Sequence, residues 1–333
     1  MTSRRPPLVS VVTPVYNGER YLRECIESVL SQSYTHWDYT IVNNCSTDGS
    51  LDIAREYAAK DSRIRIHSNE TFVRVIANHN IAFRHIAPGS KYCKVVAADD
   101  WLFPECLERM VGLAEANPSV AIVGAYGLAG TRVQWSGVPD QSTVIAGRDA
   151  CRLRLLGGPY VFGQATSVLF RSDIVRSRPA FYNESNLHAD SEACFEFLED
   201  ADFGFVHQVL TFTRPRDGSL TSYSGEFNTY LPMILSELVQ FGPKYLSDEE
   251  RSQRIAQHLH AYYKYLGEQV FEGRGRDFWR LHRGKLAASG YPLSATRLAR
   301  AALSRALELM RTPVRTAGGV VRRLRRMMLG AST

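Results

Sequence analysis

The chain has 333 residues, 44% hydrophobic and 22% charged, enough for about two domains and a sizeable core. Its formal charge of +6 invites nucleic acid as a partner, but fourteen of the 40 Lys/Arg and only two of the 34 Asp/Glu lie in residues 273–333, a balance of +12. Residues 1–272 keep 26 basic and 32 acidic residues, a balance of −6, which argues against nucleic acid as the substrate.

The first 125 residues alternate strand and helix signals, the pattern of an α/β fold with a largely parallel sheet. Residues 8–12 read as a buried strand ended by Pro14, and Asn17-Gly18 turns the chain into a helix carrying Tyr21, Leu22, Cys25, Ile26, Val29 and Leu30 at helical spacing. Strands are expected at 39–42, 64–67, 92–98 and 120–125, and helices through Leu51–Tyr57 and over 78–86 and 104–116. Residues 126–225 are rich in glycine, aromatics and short β-type runs (165–170, 203–212), with one helix at 190–198. Beyond 226 the pattern is helical, and Ser247-Asp248-Glu249-Glu250 opens a long helix to about 271, with its acids placed for the helix dipole.

The six cysteines form no Cys-x-x-Cys pair, so they read as isolated buried side chains rather than a zinc ribbon or a disulfide framework. Arg4-Arg5 runs into Pro6-Pro7 without a signal-peptide pattern, and the apolar run 120–129 falls short of the ~20 residues of a membrane span. A cytoplasmic location is therefore expected. The cluster Arg322-Arg323-Leu324-Arg325-Arg326 beside Met327-Met328-Leu329 suits either a helix on an anionic membrane or a solvated terminus.

Ligands of open parallel sheets bind outside the carboxyl ends of the strands. Three polar clusters fall there: 13–17, Asn43-Asn44-Cys45-Ser46, and Asp99-Asp100. Two adjacent carboxylates suit a hard divalent cation completed by phosphate oxygens, or they cap the helix that follows Pro104. Asp190 opens a helix and reads locally as an N-cap, with Glu192 and Glu196 as solvated as not.

Taken together these segments resemble the family 2 glycosyltransferases, of the GT-A fold. Residues 10–50 look like the family's opening, Ala97-Ala98-Asp99-Asp100-Trp101-Leu102-Phe103-Pro104 like its DxD segment, His188-Ala189-Asp190 like the acidic motif of the base, and 210–221 like the segment closing the domain. The resemblance covers about residues 8–222. It implies a GT-A domain over 1–225, a Rossmann-like nucleotide-binding sheet with an acceptor subregion, followed by an α-helical extension over 226–333. It implies an inverting transfer of sugar from a nucleotide diphosphate donor, most simply a UDP-sugar, to a hydroxyl of a glycan or lipid-linked oligosaccharide. Asp190 would be the general base. Tyr16 would lie against the nucleobase, with Thr13 and Pro14 shaping the same wall by backbone contacts, and Asn44 would read the base edge. Asp99 would face ribose and metal, Asp100 would be the main ligand of Mn2+ or Mg2+, and Arg214 would contact the diphosphate or a loop. Asn80 also matches a recurrent family position.

Two positions depart from the family pattern: Asn43-Asn44 stand where two aspartates are usual, and Ala189 where a glutamate commonly precedes the base. An Asn both donates and accepts, so it reads uracil with less discrimination than a carboxylate. A non-catalytic nucleotide-sugar or glycan binder of the same fold is the alternative that this pair allows. A sugar-nucleotide nucleotidyltransferase would need a Gly-rich basic loop after the first strand, and residues 13–19 contain no Lys. Trp135, Tyr160, Phe162, Gln164 and His188 are candidates, without assigned roles, for the pocket that selects sugar and acceptor, and Trp101 either walls the acceptor site or packs. Peripheral contact with the inner face of an anionic membrane is expected through the basic tail.

Overall fold

Short apolar runs bounded by turn residues form the central strands β1 (Val9–Val15), β2 (Trp37–Asn43), β3 (Ile64–Ser68) and β4 (Tyr92–Val95). Between them lie helices α1 (Glu19–Leu30), α2 (Ser50–Lys60) and α3 (Val75–Arg84). The computed structural model describes residues 6–216 and 218–311; Arg4-Arg5 and the cluster 322–326 lie outside them. α1 buries Leu22, Cys25, Ile26 and Val29, the i, i+3, i+4, i+7 stripe legible in the sequence. Each such aliphatic side chain stabilises by about 1.5–3 kcal/mol when fully buried.

β5 (Trp101–Leu102), α4 (Cys106–Ala116), β6 (Val120–Ala129), β7 (Arg132–Gln134), β8 (Val144–Ile145) and α5 (Gly147–Leu155) follow. A 3-10 turn (Ala165–Ser167), β9 (Leu169–Arg171), α6 (Ser172–Arg176), α7 (Ala189–Phe197) and β10 (Asp202–Thr213) complete the sheet region. The strand order is β3-β2-β1-β4-β9-β6-β10-β5, with β7 on β6 and β8 on β10. β1 pairs in parallel with β2 and β4, and β2 with β3, as the alternation predicts. β9 is antiparallel to both β4 and β6, so the second half of the sheet is mixed.

Several elements differ from the sequence expectation, among them the β-type run 165–170, which splits into the 3-10 turn and β9. The strand placed at 92–98 ends at Val95, and the chain then turns through Asp99-Asp100 into β5, antiparallel to β10. Helix α5 carries no clear period in the sequence, because its buried face is built from Gly147, Ala150, Cys151 and Leu155, too small a set to show one. α4 begins after Glu105 with no side-chain cap, so neither Asp99 nor Asp100 caps it. All six cysteines are free; five are buried and Cys45 is half-buried.

The chain divides into two compact units between Tyr223 and Ser224. α8 (Leu220–Phe227) runs across that division, followed by α9 (Tyr230–Gln240), α10 (Gly242–Tyr245), α11 (Asp248–Val270), α12 (Arg276–Ala288) and α13 (Ala295–Arg311). α11 opens with the expected signal as a full capping box: Ser247 Oγ accepts from the Glu250 N–H at 3.2 Å, and Glu250 Oε2 accepts from the Ser247 N–H at 2.9 Å. Its buried face includes Leu259, Tyr262 and Leu266, and the second unit also buries Leu235, Phe278 and Leu286. Among the described residues no helix is long and apolar enough to cross a membrane.

Candidate active site

The parallel register places the carboxyl ends of β1, β2 and β4 side by side, with Val15 opposite Asn43 and Val12 opposite Val95. The turns leaving β1 and β2 are laced together. Asn17 Oδ1 accepts from the Thr47 N–H at 2.8 Å, the Asn17 N–H donates to Ser46 Oγ at 3.1 Å, and the Gly18 N–H donates to Ser50 Oγ at 2.8 Å. Asn17 and Cys45 adopt left-handed conformations (φ 49° and 57°), local strain of a kind that clusters at functional turns. A Cβ on Gly18 would lie 2.8 Å from Val15 Cγ2, so this turn has no room for a side chain there.

Tyr16 is 49% exposed at this edge, and its ring meets that of Phe72 edge-on at 4.8 Å. Phe72, itself 58% exposed, was not singled out from the sequence. Its signal was an aromatic in the polar loop after β3. Thr13 is fully buried, with its hydroxyl 2.8 Å from that of Tyr39, so it faces the core and offers the wall only backbone, as does the partly buried Pro14.

Asn44, expected to read the base edge, is held by the loop after β3. Its side chain is buried, its Oδ1 accepts from the Val73 N–H at 3.0 Å and from Asn69 Nδ2 at 2.9 Å, and its Nδ2 donates to the Val73 carbonyl at 2.8 Å. Both lone pairs of the oxygen and one N–H of the amide are used in positioning the loop that carries Phe72.

The two adjacent aspartates have different environments. Asp100 is 4% exposed; its Oδ2 accepts from Thr166 Oγ1 at 2.7 Å and its Oδ1 from the Arg214 N–H at 3.1 Å. Burial, with the neighbouring charge of Asp99 second, pushes its carboxyl up to about 7, against those two hydrogen bonds. Asp99 is half-buried, and its carboxylate is paired with the Arg216 guanidinium. Among the described residues no cluster of three or more His, Cys, Asp or Glu could hold a metal unaided. Two carboxylates at one strand end, one of them already holding a cationic group, fit a hard divalent ion that takes its other oxygens from a diphosphate and water.

Arg214 is locked in place. Its guanidinium lies over the rings of Tyr21 (4.3 Å) and Trp101 (5.1 Å), donates to Glu24 Oε2 at 2.6 Å, and its Nε reaches the Asp99 carbonyl at 3.3 Å. Trp101 stacks on Phe212 with centroids 3.7 Å apart. Lys94, unremarked in the sequence, is fully buried on β4 and donates to the Thr166 carbonyl at 2.6 Å and the Val168 carbonyl at 3.1 Å. Burial lowers its pKa. The chain of contacts Lys94, Thr166, Asp100 fixes the second aspartate from behind.

Asp190 lies in the first turn of α7, whose N-cap is His188, so it does not cap the helix as a local reading suggests. Its Oδ1 accepts from the Ser191 N–H at 2.9 Å, and no cation among the described residues pairs with it. Burial raises its carboxyl to about 6, with backbone hydrogen bonds opposing. Glu192 is not solvated: it is 6% exposed and accepts from Asn183 Nδ2 at 3.0 Å and Asn186 Nδ2 at 2.6 Å, tying down the loop before α7. Glu196 pairs with Arg178 at 2.6 Å. Asn80 is structural, since its side chain donates to the Tyr182 carbonyl and accepts from the Tyr182 N–H, both at 2.8 Å. Trp135 and Tyr160 meet edge-on at 5.7 Å, the Gln164 amide donates to Thr213 Oγ1, and Phe162 is core.

This order of strands, with a helical C-terminal addition, is the GT-A architecture. Two solved structures share it: residues 1–349 of S. aureus TarS in complex with UDP-GlcNAc (TM-score 0.62, 17% identity, 84% of this chain and 80% of that one) and the mannosyltransferase PcManGT of Pyrobaculum calidifontis in complex with GDP-Man and Mn2+ (TM-score 0.55, 14% identity, 94% and 83%). The sequence model described as Glycosyl transferase family 2 matches residues 10–177, and the chain belongs to that family. EpsE of Bacillus subtilis (strain 168), named a candidate glycosyltransferase, is 39% identical over 153 residues, 44% of this chain and 54% of EpsE. The chain spans about half the length of the first curated relatives it matches.

Proposed function

We propose that the chain is an inverting glycosyltransferase that moves a sugar from a nucleoside diphosphate donor to a hydroxyl of a glycan or lipid-linked oligosaccharide. We assign the reaction to the first unit and treat the helical second unit as an extension of it. The observation that carries the reading is the placement of Asp190: in the first turn of α7, its Oδ1 held by the Ser191 N–H, with no cation paired to it among the described residues, and with burial raising its carboxyl to about 6. Such a group is ionised at neutral pH yet basic enough to take the proton of an attacking hydroxyl. One base on the face of the sugar opposite the leaving group implies a single in-line displacement at the anomeric carbon, with inversion.

The donor's base is assigned to the exposed Tyr16–Phe72 pair, the ribose and diphosphate to the edge carrying Asp99. A divalent cation, Mn2+ or Mg2+, would be held by Asp99 with Asp100 and would neutralise the diphosphate leaving group. Arg216 is paired with Asp99 and would give up that partner to the cation. A UDP-sugar is the proposed donor, in line with the nucleotide that the TarS fold neighbour binds. The basic segment 312–333 is assigned to an anionic membrane surface at the cytoplasmic face. Calorimetry of UDP- and GDP-sugars with and without Mn2+, followed by transfer with wild type and Asp190→Asn, tests the reaction. Donor binding without turnover in the wild type would leave a binding protein. Vesicle flotation that survives deletion of 312–333 would remove the membrane role.

A further inference from the structure

The second unit contains a groove of about 1030 Å³, bounded by α11, α13 and the turn at 289–291. α11 and α13 touch where a Cβ on Gly267 would lie 2.7 Å from the Ala301 carbonyl carbon, and the Tyr263 hydroxyl accepts from the Ser294 N–H at 2.8 Å. Along α11 the lining runs from Arg251 to Glu268. At 1.5 Å per residue this is about 25 Å, so the volume corresponds to a slot of about 40 Å² in section, one chain wide.

Its chemistry is mixed along its length. Ile255, Leu259 and Tyr263 form a buried apolar floor, while Ser252, Ser289 and Ser304 supply hydroxyls. Lys264, Arg297 and Arg300 are exposed on its walls, and none of the three pairs with a carboxylate among the described residues. Arg297 only approaches the Tyr263 ring, at 5.8 Å. Arg251 and Arg305 are neutralised by Asp248 and Glu308. Besides those pairs the described lining holds one carboxylate, Glu268, and these three cations, a net positive charge.

We infer that this groove binds an acidic glycan, an extended chain of uronate or otherwise anionic sugars, as the growing acceptor of the proposed transfer. Aromatic and aliphatic floor contacts suit sugar ring faces, serines suit hydroxyls, and the unpaired cations suit carboxylates spaced along the chain. A lipid tail would leave those serines and cations without partners in an apolar filling. The chain's own 312–333 segment, Arg-rich, has the wrong sign.

The inference rests on the reading of the chain as a transferase acting on a glycan, and a binding assay separates the two. The full chain is titrated with an oligogalacturonide, with the neutral maltooligosaccharide of equal length, and with phosphatidylglycerol vesicles. The oligogalacturonide is expected to bind, more weakly at high salt, and the double substitution Lys264→Ala, Arg300→Ala is expected to weaken it about tenfold, with Lys264→Arg retaining it. Equal binding of the neutral chain overturns the inference, as does an unchanged affinity in the double variant. Vesicle binding lost in the double variant, without oligogalacturonide binding, gives the groove to lipid instead. Glycan binding without donor binding would count against the transferase and leave the groove standing.

Discussion

Asn44 pairs its side-chain amide with the peptide of Val73, accepting at 3.0 Å and donating at 2.8 Å, across 29 residues of sequence. The buried amide thereby holds the loop that presents Phe72 to Tyr16. Asn44→Asp, which restores the residue type usual in the family, removes the donor and sets a carboxylate against the Val73 carbonyl. It is expected to lose about 1–3 kcal/mol in denaturant unfolding. Unchanged stability would return Asn44 to the role of base reader.

Asp190 has the opposite relation to stability. Its raised carboxyl favours the protonated form in the folded state, so the stability it contributes is present below the ordinary value of 3.8 and is lost as pH rises through about 6. Asp190→Asn should therefore abolish transfer while raising stability at neutral pH by about 1–2 kcal/mol. In the wild type, turnover should rise about tenfold per pH unit below 6 and level off above it. A flat profile across that range would exclude Asp190 as the base.

The two aspartates should separate under mutation. Asp100→Ala strands the Thr166 hydroxyl and the Arg214 N–H, at a cost of about 1–3 kcal/mol. Asp99→Ala breaks one half-exposed ion pair and should cost under about 1 kcal/mol. Donor binding measured with Mn2+ is expected to fail in both. Metal-independent donor binding in the wild type would remove the cation from the site.

His282 offers a test of the second unit. It is fully buried, its Nε2 donates to the Phe227 carbonyl at 2.9 Å, and the neutral ring then accepts from the Tyr262 hydroxyl through Nδ1 at 2.6 Å. Burial, against that backbone bond, lowers its pKa to about 4. The unfolded chain takes up the proton first, so stability should fall by up to about 3 kcal/mol as pH drops from 6.5 to 4. His282→Gln should flatten that part of the pH–stability curve, as read by thermal melting.

Much of the candidate site is legible in the sequence because its signals are local. The turn at Tyr16-Asn17-Gly18, the Asp99-Asp100 step and the start of α7 each lie within a few residues of the strand or helix that displays them. Phe72, Arg216 and Lys94 gave no comparable signal. Phe72 sits in a polar loop and meets Tyr16 only after β1 and β3 are assembled with β2 between them. Lys94 reads as a polar break in a short strand until Thr166 and Val168 bring their carbonyls to it. Glu192 looked like a helix-surface charge because Asn183 and Asn186, which bury it, belong to the irregular segment before the helix.

The sequence by itself determined the alternation of strand and helix, the buried stripe of α1 and the capped start of α11. Those depend on contacts within one or two helical turns or on β spacing. It also placed the +12 charge at the C-terminal end and left a −6 body. Tertiary structure alone decided which of two adjacent carboxylates is buried, since the groups that bury Asp100 stand 66 and 114 residues away. It likewise decided that Asn44 is bonded to Asn69 and Val73 and that no cation among the described residues pairs with Asp190. Desolvation and hydrogen-bond satisfaction depend on every neighbour in space, and those neighbours come from segments far apart in the chain.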